Sequence, residues 1–154
     1  MSANFRYIFL TTLLTLLLPA FSACTATAPE TGTKSDAPTG EKVIGFGQTV
    51  NLEDHLVKGK TVIFDFFSQY CPPCRRISPL LTKLAEKRSD IVVVKVDINR
   101  KDVTGIDWSS PVAQQFQLQG IPHFKIYSPE GKLKAEGDAA YEQVINLLKQ
   151  ENIQ

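Results

Sequence analysis

Phe64-Asp65-Phe66-Phe67-Ser68-Gln69-Tyr70-Cys71-Pro72-Pro73-Cys74 is the stretch that decides the fold. It continues an apolar run that starts at Thr61, and Thr61–Phe67 is rich enough in aromatic and β-branched residues to predict a central strand covered on both faces. Beyond it, from Cys71 to about Arg88, Ile77, Leu80, Leu81, Leu84 and Ala85 share one stripe at helical spacing. Pro72 and Pro73 fall in the first turn of that helix, where a missing N–H is no loss. A buried strand that runs into a helix through a Cys-Pro-Pro-Cys turn is therefore expected.

Working outward, the rest of the chain alternates strand and helix patterns, which predicts an α/β domain. A weak first strand is expected around Val43–Phe46, a short helix at Leu52–Val57, a Gly59-Lys60 turn and a second buried strand at Ile91–Asp97. A polar connector, Ile98–Ser110, leads to a short helix at Pro111–Phe116. His123–Tyr127 and Leu133–Glu136 flank the turn sequence Ser128-Pro129-Glu130-Gly131 and read as an antiparallel hairpin, with a last helix at Tyr141–Leu148. Parallel strands followed by a hairpin imply a central mixed sheet with helices on both faces.

The 154 residues suffice for one ordinary domain and a short appendage. Seventeen basic residues face sixteen acidic ones, so bulk charge gives no reason to expect a nucleic-acid partner. The appendage is N-terminal. Arg6 precedes an apolar run, Tyr7–Leu18, and small residues follow, the pattern of a secretory signal. The run is shorter than the roughly twenty apolar residues that span a bilayer. Phe21-Ser22-Ala23-Cys24 resembles the lipobox of bacterial lipoproteins, with Phe21 where Leu is usual. The resemblance implies cleavage before Cys24, lipidation of Cys24 and a membrane anchor on the periplasmic side; Thr25, not being acidic, points to the outer membrane. Cleavage by ordinary signal peptidase and a secreted, soluble protein is the alternative. From Thr25 to about Lys42 there is no apolar periodicity, so a disordered tether is expected, holding the domain about 24 Å from its anchor on average. The organisation read from the sequence is thus a signal over 1–23, a lipidated Cys24 with its tether over 24–42, and a domain over 43–154.

The three cysteines sort into Cys24 alone and the pair Cys71 and Cys74. At a strand-to-helix junction the first sulfur of such a pair meets unpaired backbone N–H groups and the positive end of the helix dipole, which favour a thiolate. The second lies one turn on. That arrangement suits disulfide exchange, in which an exposed first thiolate attacks and the second thiol resolves the mixed disulfide.

The segment Phe64–Cys74 resembles the active-site segment of thioredoxins, and the resemblance extends over roughly residues 43–153. Pro79 falls where that family has its helix-kinking proline, Gly120-Ile121-Pro122 looks like its cis-proline loop, and Gly137 fits the glycine after its last strand. The resemblance implies that Cys71 is the nucleophile and Cys74 the buried resolving thiol, with a redox-active disulfide between them and no other cofactor. It implies that Asp65 is the family's buried carboxylate, able to shuttle the proton of Cys74 because desolvation raises its pKa, and that Lys95 is the lysine that tunes it. Tyr70, Pro72, Pro73, Ile121 and cis Pro122 would form the substrate surface, with the Ile121 backbone open to an extended substrate segment. Tyr70 stands where the family's usual Trp is, and Pro72 replaces its commonest Gly, changes that bear on substrate contact and redox potential. The Arg100–Ser110 connector is longer than a minimal thioredoxin needs, and Trp108 is expected to anchor it by packing.

Two further readings complete the expectation. The rival to the redox pair is a metal-binding or copper-delivery site built from Cys71, Cys74 and a histidine, His55 or His123, although their spacing fits no zinc-finger pattern. For redox direction, Pro72 and Pro73 offer neither a side-chain donor nor an N–H to stabilise a very acidic first thiolate, which favours a reductant over an oxidant. A reductant outside the cytoplasm implies a membrane thiol-transporting electron donor, with thiols and disulfides of exported proteins as substrates.

Overall fold

The computed structural model describes residues 41–154. The expectations for the signal, Cys24 and most of the tether fall on residues 1–40 and lie outside the described residues. Five strands, β1 (Lys42–Ile44), β2 (Thr61–Phe67), β3 (Ile91–Asp97), β4 (His123–Tyr127) and β5 (Leu133–Glu136), form one sheet in the order β1-β3-β2-β4-β5. β1, β3 and β2 run parallel; β4 is antiparallel to β2, and β5 to β4. Three helices accompany them: α1 (Pro72–Lys87), α2 (Pro111–Gln115) and α3 (Asp138–Gln150). The expected mixed sheet in an α/β fold is what forms.

The central position of β2 follows from its composition, since Val62 to Phe66 are all buried. Alternation sends Ile63 to a cluster with Ile77, Leu81 and Leu84 of α1 and Val144 and Leu148 of α3. It sends Val62, Phe64 and Phe66 to the opposite cluster, with Val94, Val96, Val112 and Leu118. Asp65 lies on the α1 side of this strand, where an apolar residue would otherwise sit. Pro79 is accommodated inside a continuous α1.

Three elements differ from expectation in their limits. β1 covers Lys42–Ile44, beginning inside the segment read as tether and ending before Phe46. Gly45, Phe46 and Gly47 all have positive φ, which turns the chain off the sheet, and a Cβ on Gly47 would stand 2.4 Å from Cγ of Arg100. The helix expected at Leu52–Val57 is a single 3-10 turn over Leu52–His55, because Leu56 is already extended. α3 begins at Asp138, three residues before the apolar stripe that marked it, after Gly137 with φ 61°.

The inserted connector is held by polar contacts. Arg100 donates to both carboxylate oxygens of Asp107, from Nε at 2.7 Å and Nη2 at 3.0 Å, and Ser109 donates to Asp107 at 3.0 Å. The Asn99 side-chain amide donates to the carbonyl of Gly105. Trp108, expected to anchor the loop by packing, is 39% exposed; the buried carboxylate of Asp107 anchors it instead. No described helix is long and apolar enough to cross a membrane.

Candidate active site

The C-terminal ends of the parallel strands and the N-terminal end of β4 meet on one edge of the sheet, the end at which open α/β sheets place their chemistry. β2 delivers Cys71 to this edge. Its backbone is extended (φ −94°, ψ 108°), so it caps α1, and Pro72 and Pro73 occupy the first helical turn. Cys71 and Cys74 form a disulfide with Cα atoms 5.3 Å apart. The N–H of Cys74 donates to Sγ of Cys71 at 3.2 Å, and the N–H of Arg75 donates to the Cys71 carbonyl at 3.1 Å. The two prolines lack an N–H, so among the backbone groups of this turn only that of Cys74 reaches the sulfur.

Cys71 differs from expectation in one respect. Read as an exposed thiol, it is only 1% exposed in the disulfide form, and Cys74 is fully buried. Its Sγ lies 3.6 Å from the carbonyl oxygen of Ile121, which covers it from the opposite loop. The Ile121–Pro122 peptide bond is cis. Of the five residues expected at a substrate surface, Tyr70, Pro72 and Pro73 are exposed, and Ile121, whose carbonyl meets Sγ of Cys71, and Pro122 are half-buried.

Asp65 is fully buried. Its Oδ2 accepts a hydrogen bond from the Ser78 hydroxyl at 2.7 Å, and its Oδ1 has no hydrogen-bond partner among the described residues. Ser78 is four residues beyond Cys74, on the same face of α1, so the carboxyl lies under the turn that carries the second cysteine. Burial pushes the Asp65 carboxyl up to about 6, against opposing pulls from the Ser78 hydrogen bond and the Lys95 charge. Lys95 is the register partner of Asp65 across the parallel β2–β3 pair, so both side chains leave the sheet on one face. Its ammonium forms an ion pair with Glu41 at 2.8 Å and lies 4.6 Å from the centre of the Phe67 ring.

Ser78 and Glu41 were not anticipated from the sequence. Ser78 carried a usable signal, its i, i+4 spacing from Cys74. Glu41 carried none, since it sits in a polar run of Thr, Pro, Gly and Lys.

The histidines are not brought to the cysteines as ligands. His123 packs edge-on against Phe66, with its Nε2 3.4 Å from Glu136, and burial lowers its pKa. His55 lies in the 3-10 turn. Among the described residues no three His, Cys, Asp or Glu side chains are grouped to hold a metal ion. The arrangement can instead do dithiol chemistry: a sulfur pair at a helix start, a buried carboxyl of raised pKa beneath it, and a cis-proline loop against the first sulfur.

Comparison with known proteins agrees with this chemistry. The family profile described as Thioredoxin matches residues 46–150. Thioredoxin H3 of Arabidopsis thaliana is 36% identical over 96 residues, covering 61% of this chain and 74% of that protein. Among solved structures, oxidised thioredoxin O2 of Arabidopsis thaliana superposes with a TM-score of 0.51 at 22% identity, over 73% of this chain and 94% of that one. Thioredoxin f2 of Chlamydomonas reinhardtii gives 0.50 at 24% identity, over 73% and 96%. At such identities the structures speak for the fold, and the sequence matches for the family. The chain belongs to the thioredoxin family.

Proposed function

We propose that this thioredoxin-type thiol–disulfide oxidoreductase reduces disulfides of exported proteins from a lipid anchor at Cys24, on the periplasmic side of a bacterial membrane. The observation that carries the redox part is the Cys71–Cys74 disulfide at the β2–α1 junction, above buried Asp65 and against the Ile121–Pro122 loop.

In the reduced state the Cys71 thiolate, receiving the Cys74 N–H, attacks one sulfur of a substrate disulfide. The substrate's S–S bond breaks, its other sulfur leaves as a thiolate that takes a proton, and a mixed disulfide to Cys71 remains. Asp65, in its anionic form, takes the proton of Cys74. The Cys74 thiolate attacks Sγ of Cys71 and expels the second substrate sulfur, which is protonated in turn. Two electrons have passed to the substrate, and the protein holds the Cys71–Cys74 disulfide. A membrane thiol-transporting donor then returns two electrons to the pair.

Reduction is favoured over oxidation because the first sulfur has one backbone donor and no side-chain donor between the cysteines to stabilise its thiolate. Lipid anchorage is supported by the apolar run ending at Cys24 and by the polar stretch after it. Equilibrating the pair against glutathione and dithiothreitol buffers tests the direction. A potential near the −270 mV typical of thioredoxin, to within about 30 mV, is expected, and one near about −120 mV would make the protein an oxidant. For the anchor, the C24A variant expressed in a bacterium should move from the membrane fraction to the soluble periplasmic fraction; a soluble wild type would favour the secreted form.

A further inference from the structure

The pairing of Lys95 leaves one feature without a part in this chemistry. Glu41, the first described residue, precedes β1, and its Oε1 accepts from the Lys95 ammonium at 2.8 Å and from the Thr82 hydroxyl of α1 at 3.1 Å. The Thr82 hydroxyl also lies 3.3 Å from the Ser78 carbonyl, and Ser78 is the residue that holds Asp65. One carboxylate thus touches both elements that position the buried one. Lys95, the register partner of Asp65, gives its ammonium to Glu41, with its side chain only 12% exposed.

We propose that Glu41 is a positioning residue for the redox reaction: by neutralising and fixing the Lys95 ammonium, it keeps that cation from holding Asp65 in the anionic state. The proposal rests on the reading of Asp65 as the proton acceptor for Cys74. An isolated ammonium beside a buried carboxylate favours its charged form strongly, and such an Asp is a poor base at neutral pH because its proton affinity is too low. A second carboxylate on the same ammonium cancels much of that pull. The directions agree: the Lys95 charge lowers the Asp65 pKa and the Glu41 charge raises it.

The charged and titratable groups facing Asp65 are few. From α1 they are Cys74 and the hydroxyl of Ser78, from β3 Lys95 with Asp97 two residues on along the same face, and from the segment before β1 Glu41. The neighbour from β4 is Phe124, which does not titrate. Glu41 is the remaining charge that opposes Lys95 directly, since its contact with the ammonium is a hydrogen-bonded ion pair.

The test follows the carboxyl carbon of Asp65 by NMR in the reduced protein, in wild type, E41Q, E41D and K95M, beside the pH dependence of mixed-disulfide resolution in the same set and in D65N. In E41Q the Asp65 titration should move to lower pH by at least about half a unit, and the resolution profile should move with it. E41D, which keeps the charge, should lie close to wild type. K95M should move the titration the other way, and the E41Q shift should shrink in the K95M background. An unchanged Asp65 titration in E41Q, with only a lower melting temperature, overturns the proposal and leaves Glu41 as a structural latch. If instead D65N keeps the wild-type resolution profile, the shuttle reading itself fails, and the proposed role of Glu41 in the reaction falls with it even where the titration moves.

Discussion

Two carboxylates near the redox edge are almost fully shielded from solvent, and they behave in opposite ways. Asp65, under α1, is pushed up to about 6; Asp107, in the inserted loop, is held down at about 2. The difference lies in their partners. Asp107 receives two guanidinium hydrogen bonds from Arg100 and one from Ser109, and it lies just beneath that 40% exposed arginine side chain. Asp65 has one neutral hydroxyl, an oxygen without a partner among the described residues, and a neighbouring lysine whose ammonium is paired with Glu41. Burial with a dedicated cation makes a permanent anion and a structural clamp. Burial without one makes a group that can change its protonation near neutral pH.

The comparison breaks most readily at Asp65. Asp65→Asn removes the proton acceptor, and resolution of the mixed disulfide at pH 7 should slow by about 10² or more, whereas Asp107→Asn should leave that rate unchanged. Stopped-flow measurement of the second exchange step separates the two; equal slowing in both variants would mean that the contrast has no catalytic content.

The next effect is on stability, and its sign depends on pH. Asp65 binds its proton more tightly folded, at about 6, than unfolded, at an ordinary 3.8. Between those values the folded state holds more protons, so stability falls as pH rises, by about 3 kcal/mol in all. Asp65→Asn should therefore raise the urea midpoint at pH 7 and leave it nearly unchanged at pH 4. For Asp107 the sign reverses: its pKa is depressed by the Arg100 hydrogen bonds, so its contribution is present above about pH 4 and is lost as pH falls towards 2. Asp107→Asn should cost about 1–2 kcal/mol in urea unfolding at pH 7, the range for charge-assisted hydrogen bonds whose partner is part-exposed. The smallest effect is expected at Trp108, whose replacement by Ala should change stability by no more than about 0.5 kcal/mol if polar contacts hold the loop. A larger loss would return the loop to the packing account.

Much of the redox edge was legible in the sequence because its signals are local. The apolar run of β2, the first-turn prolines and the helical stripe lie within one continuous stretch, and the cis bond before Pro122 was expected from the resemblance of Gly120-Ile121-Pro122 to the family's loop. The clamp at Asp107 was not legible: Arg100 and Asp107 in a polar connector look like any solvated pair until the loop folds back on itself. Trp108, expected from its aromatic character to pack, is 39% exposed, for its surroundings too are set by how the loop folds back. The burial of Cys71 was also missed, because the group that covers it, the Ile121 carbonyl, is fifty residues away.

By itself the amino-acid sequence determined the order of elements and the strand-to-helix junction that holds the cysteines, because each depends on periodicity and short-range spacing; the family followed from the resemblance of its motifs to those of thioredoxins. Only the tertiary structure decided which charges stand beside Asp65. The partnership of Glu41 with Lys95 spans 54 residues, and that of Asp65 with Ser78 joins a strand to a helix. Sheet register and helix packing create these neighbours, and the protonation of a buried carboxyl depends on them more than on its place in the chain.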